Sequence, residues 1–180
     1  MSPELRESLV RVAPFGVGIV VLGLLAAVKP EARERLAWNQ VPARVLVRWL
    51  VLWVVWLAVT ELVTAGLGRP SPAPFGVHGP ALAIRVLGIV VLAPLLEELA
   101  FRGVLFHLLL PRIGSGPTVA ATALLFALAH GQYGPPELVQ VLVDGLLLGL
   151  ARLRTGSTRV PFWMHLLGNG LAAWQRLALW

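Results

Sequence analysis

From Ala81 to Leu110 the chain is apolar except for Arg85, His107 and the cluster Glu97, Glu98 and Arg102. A bilayer core about 30 Å thick takes roughly 20 apolar residues in helix, so this run crosses one with residues to spare. Hydrophobic residues make up 57% of the 180 and charged residues 13%, against about 25% charged in soluble domains. A soluble chain of this length has too few charges to cover that much apolar surface. The composition therefore excludes an ordinary cytosolic domain, a disordered chain and a fibre. Long unbroken apolar runs, in place of short alternating ones, argue against a membrane β-barrel. An all-α, polytopic transmembrane helical bundle remains.

Six segments have the pattern of membrane helices: residues 12–28, 45–67, 81–110, 117–130, 138–153 and 160–180. They are separated by Lys29-Pro30, the stretch from Gly68 to Pro72, Pro111, Gly134-Pro135-Pro136 and Thr155-Gly156-Ser157. With no soluble insertion or repeat, residues 1–180 read as one integral membrane domain. The first segment is longer than the apolar core of a signal peptide and is preceded by Glu4 and Glu7, which argues that it is retained. Lys29, Arg33, Arg35, Arg44, Arg112, Arg152, Arg154 and Arg159 fall in the loops after the first, third and fifth helices. Arg6, Arg11, Arg69 and Arg176 fall on the other side. That bias places the first set in the cytoplasm and both termini outside. Lys29 to Arg44, with Trp38, has the composition of an interfacial amphipathic helix. Fourteen arginines beside one lysine, with abundant Ala, Leu, Val and Gly, suggest a GC-rich bacterial genome and hence the bacterial cytoplasmic membrane. The basic residues lie at segment ends and not in a patch, so no nucleic-acid partner is expected; the partners are the bilayer and a protein or peptide.

An ionisable residue inside an apolar helix costs about 2.5–3.5 kcal/mol on insertion scales and marks a functional site by default. Glu98 and Arg102 stand at i and i+4 with the acid first, the favourable order for an ion pair. Glu97 points roughly 100° away around the helix, so Glu98 is neutralised while Glu97 is left for chemistry. A purely structural buried ion network is the alternative. His130 closes the fourth segment. His165 and Asn169, one turn apart, make a shared polar face on the sixth, which interhelical hydrogen bonding alone also explains. Glu97 and His130 are nearly equidistant from the turn at Ile113-Gly114 and should stand at similar depth. His165 is nearer its own loop and falls roughly 10 Å off that level at 1.5 Å per residue.

The chain has no cysteine, which removes disulfides, a thiolate nucleophile and cysteine-bound metal. None of the three motifs holds a Ser or Thr, so a covalent nucleophile is not expected. A desolvated Glu97 suits a general base on water, with His130 orienting that water. His165 and Asn169 are placed to donate hydrogen bonds to an oxyanion. Together these describe water-mediated amide hydrolysis without a cofactor. A three-ligand zinc site on Glu97, His130 and His165 is the competing arrangement, although the spacing lacks the tight pattern of H-E-x-x-H.

Glu97-Glu98-x-x-x-Arg102, Phe126-x-x-x-His130 and His165-x-x-x-Asn169, in that order on successive membrane helices, resemble the CAAX protease and bacteriocin-processing family, also called the abortive-infection family or type II CAAX prenyl endopeptidases. The resemblance covers about residues 81–175, leaving residues 1–80 as two accessory membrane helices. It implies a glutamate-dependent intramembrane endopeptidase in which Glu97 and His130 activate water, His165 and Asn169 form the oxyanion hole, and Glu98 and Arg102 support the site. It also implies a substrate that is a membrane-associated protein or peptide, such as a bacteriocin-like precursor or a C-terminal sorting segment of the kind a myxosortase trims.

Asp144, inside the fifth helix, needs a partner; Arg102 or a site histidine would make it a second supporting group. Gly145 and Gly149 form a G-x-x-x-G that favours close helix packing. Trp49, Trp53 and Trp56 form a stripe expected to pack or to face lipid. Glu61 reads as interfacial, and Arg48 and Arg85 as snorkelling. His78 and His107 have no assigned role. Two other classes fit the same polar residues: a non-catalytic immunity or scaffold protein binding a partner helix, and a small transporter, for which inverted repeats would be the sign.

Overall fold

The computed structural model describes residues 1–68 and 73–178. Arg69 to Pro72, with the Arg69 charge used above, and the last two residues of the sixth predicted segment lie outside them. Among the described residues seven helices and no strand are present: α1 (Pro3–Val28), α2 (Pro30–Leu36), α3 (Ala43–Gly66), α4 (Gly79–Ile113), α5 (Ser115–Leu128), α6 (Pro135–Thr155) and α7 (Arg159–Ala178). The six expected membrane segments are all helical, and α2 is the short amphipathic piece between the first two. By length and composition α1, α3 and α4 qualify as spans, and α5 is a shorter apolar helix. α6 and α7 are long enough but carry more polar residues, because they face the interior described below.

α1 begins on a Ser2 hydroxyl that accepts the Leu5 N–H at 3.2 Å, with proline in the first turn. Its most apolar stretch is not buried at all, and Val17, Val20, Leu24, Val47, Val51 and Leu62 of α1 and α3 are exposed. In water such a surface would aggregate; in a bilayer it is the lipid face. The molecule is an integral membrane protein. α1 is held to α4 by Arg85, which does not snorkel to solvent. Its Nε donates to the buried Ser8 hydroxyl at 3.2 Å, and its guanidinium lies 3.3 Å from Glu7.

The thirty-five residues of α4 rise roughly 52 Å at 1.5 Å each, more than a bilayer core. They are not uniform α-helix. Gly88–Leu92 and Leu99–Leu105 are π-helical; the Ala93 N–H reaches the Gly88 carbonyl and the Phe106 N–H the Phe101 carbonyl, five residues back. Between the two wide turns lies the α-helical stretch Ala93–Glu98. Gly103 lets this helix approach α2, since a Cβ there would lie 3.2 Å from the Leu36 Cα.

α5 and α6 pack through the glycines expected to do so. A Cβ on Gly145 would stand 3.0 Å from the Ala123 Cα, and one on Gly149 3.2 Å from a Val119 methyl. In the turn between α6 and α7 Gly156 is exposed, but the two residues after it are not. Ser157 and Thr158 are wholly buried. Thr158 N–H donates to the Ala37 carbonyl, the Ser157 hydroxyl to the Asn39 carbonyl and the Asn39 amide to the Gly156 carbonyl. The segment after α2 thus roofs this turn and sets α7 deeper than a simple loop-to-loop ruler allows. His165 accordingly reaches the level of Glu97, and the 10 Å mismatch expected from sequence is absent.

Candidate active site

Glu98 and Arg102 are both fully buried, and the guanidinium NH1 meets the carboxylate at 2.9 Å. The pairing read from the i, i+4 spacing is present. Arg102 is held on two further sides: its NH2 donates to the Gly145 carbonyl at 3.1 Å and its guanidinium lies 4.4 Å from the Phe126 ring centre. The Arg102 carbonyl accepts from Nε of Arg152, which stacks 5.2 Å over Phe106.

Glu98 has a second partner that spacing along one helix does not reveal. Its Oε1 accepts from His165 Nδ1 at 2.9 Å. A carboxylate oxygen only accepts, so Nδ1 carries the proton and Nε2 is turned to the other carboxylate. The Glu97 Oε2 lies 3.7 Å from that nitrogen, within ion-pair range but beyond a hydrogen bond, and has no hydrogen-bond partner among the described residues. Glu97 is one-fifth exposed where Glu98 is sealed. The two adjacent glutamates are thus unlike: one is tied to Arg102 and His165, the other is not.

His130 lies just beyond the end of α5. Its Nδ1 is 2.8 Å from the Phe126 carbonyl and so carries the hydrogen, leaving Nε2 as an acceptor. The ring packs 4.7 Å from Phe126 and is stacked on Tyr133 at 5.7 Å. Phe126 itself, 3% exposed, also meets His165 edge-on at 5.6 Å. It is the apolar partition that holds two imidazoles and one guanidinium in fixed relation. Its place in Phe126-x-x-x-His130 was the available signal, and no role was expected for it.

Asn169 is positioned by a proline. In the π turn the Ala93 N–H bonds the Gly88 carbonyl; the next rung would bring the N–H of residue 94 to Ile89. Residue 94 is proline and has none. The orphaned Ile89 carbonyl accepts the Asn169 amide from α7 at 2.8 Å. Inside a membrane such gaps are closed by a neighbouring helix. A carboxamide carries two N–H donors, so one anchors Asn169 and the other remains.

A cleft of about 750 Å³ opens beside these groups, between α3, α6 and α7. His130, His165 and Asn169 line it, with Phe126, Tyr133, Trp53 and Leu148. Asp144 lines it too. Its expected partner was Arg102 or a histidine; its hydrogen bond comes from the Trp56 indole at 2.6 Å. Trp53 is buried and Trp49 and Trp56 pack against the same cluster, so the tryptophan stripe serves packing. Sequence reasoning read Glu61 only as interfacial and left out Gln140 and Gln175; all three line the cleft, and Gln175 donates to Glu61 at 2.7 Å. The signal was available: three polar side chains on membrane helices. Among the described residues no three His, Asp or Glu side chains are grouped to hold one metal ion.

Residues 79–171 match the model of the Rce1-like type II CAAX prenyl endopeptidases. Over 145 residues the chain is 26% identical to the membrane-embedded CAAX protease MroQ of Staphylococcus aureus (strain USA300), covering 72% of this chain and 58% of the relative. Over 90 residues it is 34% identical to an uncharacterized 24.3 kDa protein of Escherichia coli, covering 48% of this chain and 42% of the relative. The aligned part is thus about half the length of these relatives. No solved structure matches the chain.

Proposed function

This chain belongs to the Rce1-like type II CAAX prenyl endopeptidase family, and from that premise we propose that it is an intramembrane endopeptidase, acting in the bacterial cytoplasmic membrane on a peptide bond of a membrane-associated protein or peptide. The observation that carries the proposal is the division of labour between Glu97 and Glu98. Glu98 is held by Arg102 and His165, whereas Glu97 accepts no hydrogen bond among the described residues, is one-fifth exposed and lies 3.7 Å from the His165 imidazole, which suits it to take a proton from water.

Water held between Glu97 and the His130 Nε2 loses its proton to Glu97 as its oxygen attacks the carbonyl carbon. The negative charge that develops on the carbonyl oxygen is met by the second Asn169 N–H and by His165. Since His165 donates from Nδ1 to Glu98, donating from Nε2 as well uses both ring nitrogens as donors. The proton on Glu97 then passes to the departing amine, and the peptide bond breaks. Glu98, Arg102 and Phe126 touch no reacting atom; they hold His165 and His130 in place. This route uses no metal.

The test is precursor processing in the native host, followed by mass spectrometry, with Glu97→Gln and Glu98→Gln compared. Glu97→Gln is expected to insert, accumulate and cleave nothing. Cleavage at the original rate by that variant refutes the general-base role. Chelation of the purified enzyme is expected to leave its rate unchanged; a loss restored by zinc would instead support metal on Glu97, His130 and His165.

A further inference from the structure

The cleft carries charges that the hydrolytic chemistry does not use. Glu61 on α3 and Glu137 on α6 are exposed at its rim, and Asp144 lies deeper, half-buried. None of the described residues lining it is Lys or Arg. The hydrogen bonds to Glu61 and Asp144 come from neutral donors, the Gln175 amide and the Trp56 indole, which leave both carboxylates with acceptor capacity. The whole chain carries a formal charge of +6, so the cleft is a negative island on a positive molecule.

A second observation points to a peptide in particular. Trp53, 3% exposed, lines the same cleft, and its indole N–H has no acceptor in the protein. The approach is made through Gly168, where a Cβ would sit 3.6 Å from that nitrogen. A buried N–H without a partner is rare in a folded protein. A peptide carbonyl supplies the acceptor; an alkyl chain or a simple cation does not.

We propose that the cleft selects a peptide segment bearing Lys or Arg near the bond to be cut, with Asp144 and Glu61 receiving the positive charge and Trp53 donating to a carbonyl of the segment. This rests on reading the cleft as the substrate site of an endopeptidase. Specificity here is electrostatic complementarity. The acidic lining rewards a basic flank and penalises an acidic one, while Trp53 reads the backbone and is indifferent to side chains.

The experiment uses the full chain carrying Glu97→Gln, in bicelles of zwitterionic lipid, and two dye-labelled polyleucine helices, one flanked by lysines and one by glutamates. Binding is read by fluorescence anisotropy. The lysine-flanked helix is expected to bind about tenfold tighter or more, against the protein's overall charge, which by itself favours the acidic helix. Glu61→Gln combined with Asp144→Asn is expected to remove the preference, and Glu61→Gln alone, at an exposed position, to reduce it even where the double variant fails to fold. Trp53→Phe should weaken both helices alike. Equal binding, binding of neither, a preference for the acidic helix, or a preference that survives both neutralised variants overturns the proposal; unchanged affinity in Trp53→Phe overturns the indole's part. No cleavage is read, so a failure here leaves the precursor-processing test of the endopeptidase standing, and the converse.

Discussion

Arg102→Met removes a fully buried cation from a fully buried anion. The loss has three parts. The Glu98 carboxylate keeps only His165 as a partner. The Gly145 carbonyl, 3.1 Å from the guanidinium, loses its donor, and Phe126 loses a cation 4.4 Å from its ring. Breaking one side of a buried pair costs about 3–5 kcal/mol because the other charge is stranded. Glu98→Gln strands the guanidinium instead and should cost about 3 kcal/mol on the same grounds. Removing both charges strands neither, so the double variant is expected to lose less than the two single losses together. The shortfall should be about 2 kcal/mol, within the range of directly coupled residues. The assay is equilibrium unfolding in mixed micelles of SDS and a neutral detergent, followed by far-ultraviolet circular dichroism. Losses that add to within about 0.5 kcal/mol would refute the claim that this pair is a single electrostatic unit.

The Asn169–Ile89 bond exists because Pro94 has no N–H, so Asn169→Leu should cost about 1 kcal/mol in the native background and less in Pro94→Ala, where the helix can satisfy its own carbonyl; equal costs by the same unfolding assay would remove the proline from the explanation. Gly145→Val drives a Cβ to 3.0 Å from the Ala123 backbone, which cannot swing aside, and an overpacking loss of about 1–3 kcal/mol is expected in thermal unfolding. Gly103→Val pushes against the backbone of Leu36 at 3.2 Å and should undock α2, read as faster thiol labelling of a cysteine placed at Leu36; labelling at the original rate would mean the contact holds nothing.

The helices and the pairing of Glu98 with Arg102 were legible because both are local: apolar length specifies a span, and spacing on one helix specifies which side chains meet. Gly145 was legible for the same reason. What stayed hidden was set by contacts between distant segments. The bond from His165 to Glu98 depends on how deep α7 starts, and that depends on the segment after α2 roofing Ser157 and Thr158. Nothing near His165 encodes that roof. The hydrogen bond from Trp56 to Asp144 was not legible because Trp56 sits on a helix whose face toward α6 is settled only by packing. The anchoring of Asn169 needed two facts together, a proline and a π turn around it, and only the proline is visible in the sequence.

The two wide turns of α4 also bear on how such helices vary in length. A wide turn accommodates one additional residue without rotating what lies on either side. Deletion of one residue within Gly88–Leu92 or Leu99–Leu105 lets that turn revert to α-helix and therefore keeps the flanking faces in phase. The same change within Ala93–Glu98 would swing the downstream face by about 100°, turning Glu97 and Glu98 out of their roles. Length polymorphism among related helices should accordingly collect in the two wide turns and spare the short stretch between them.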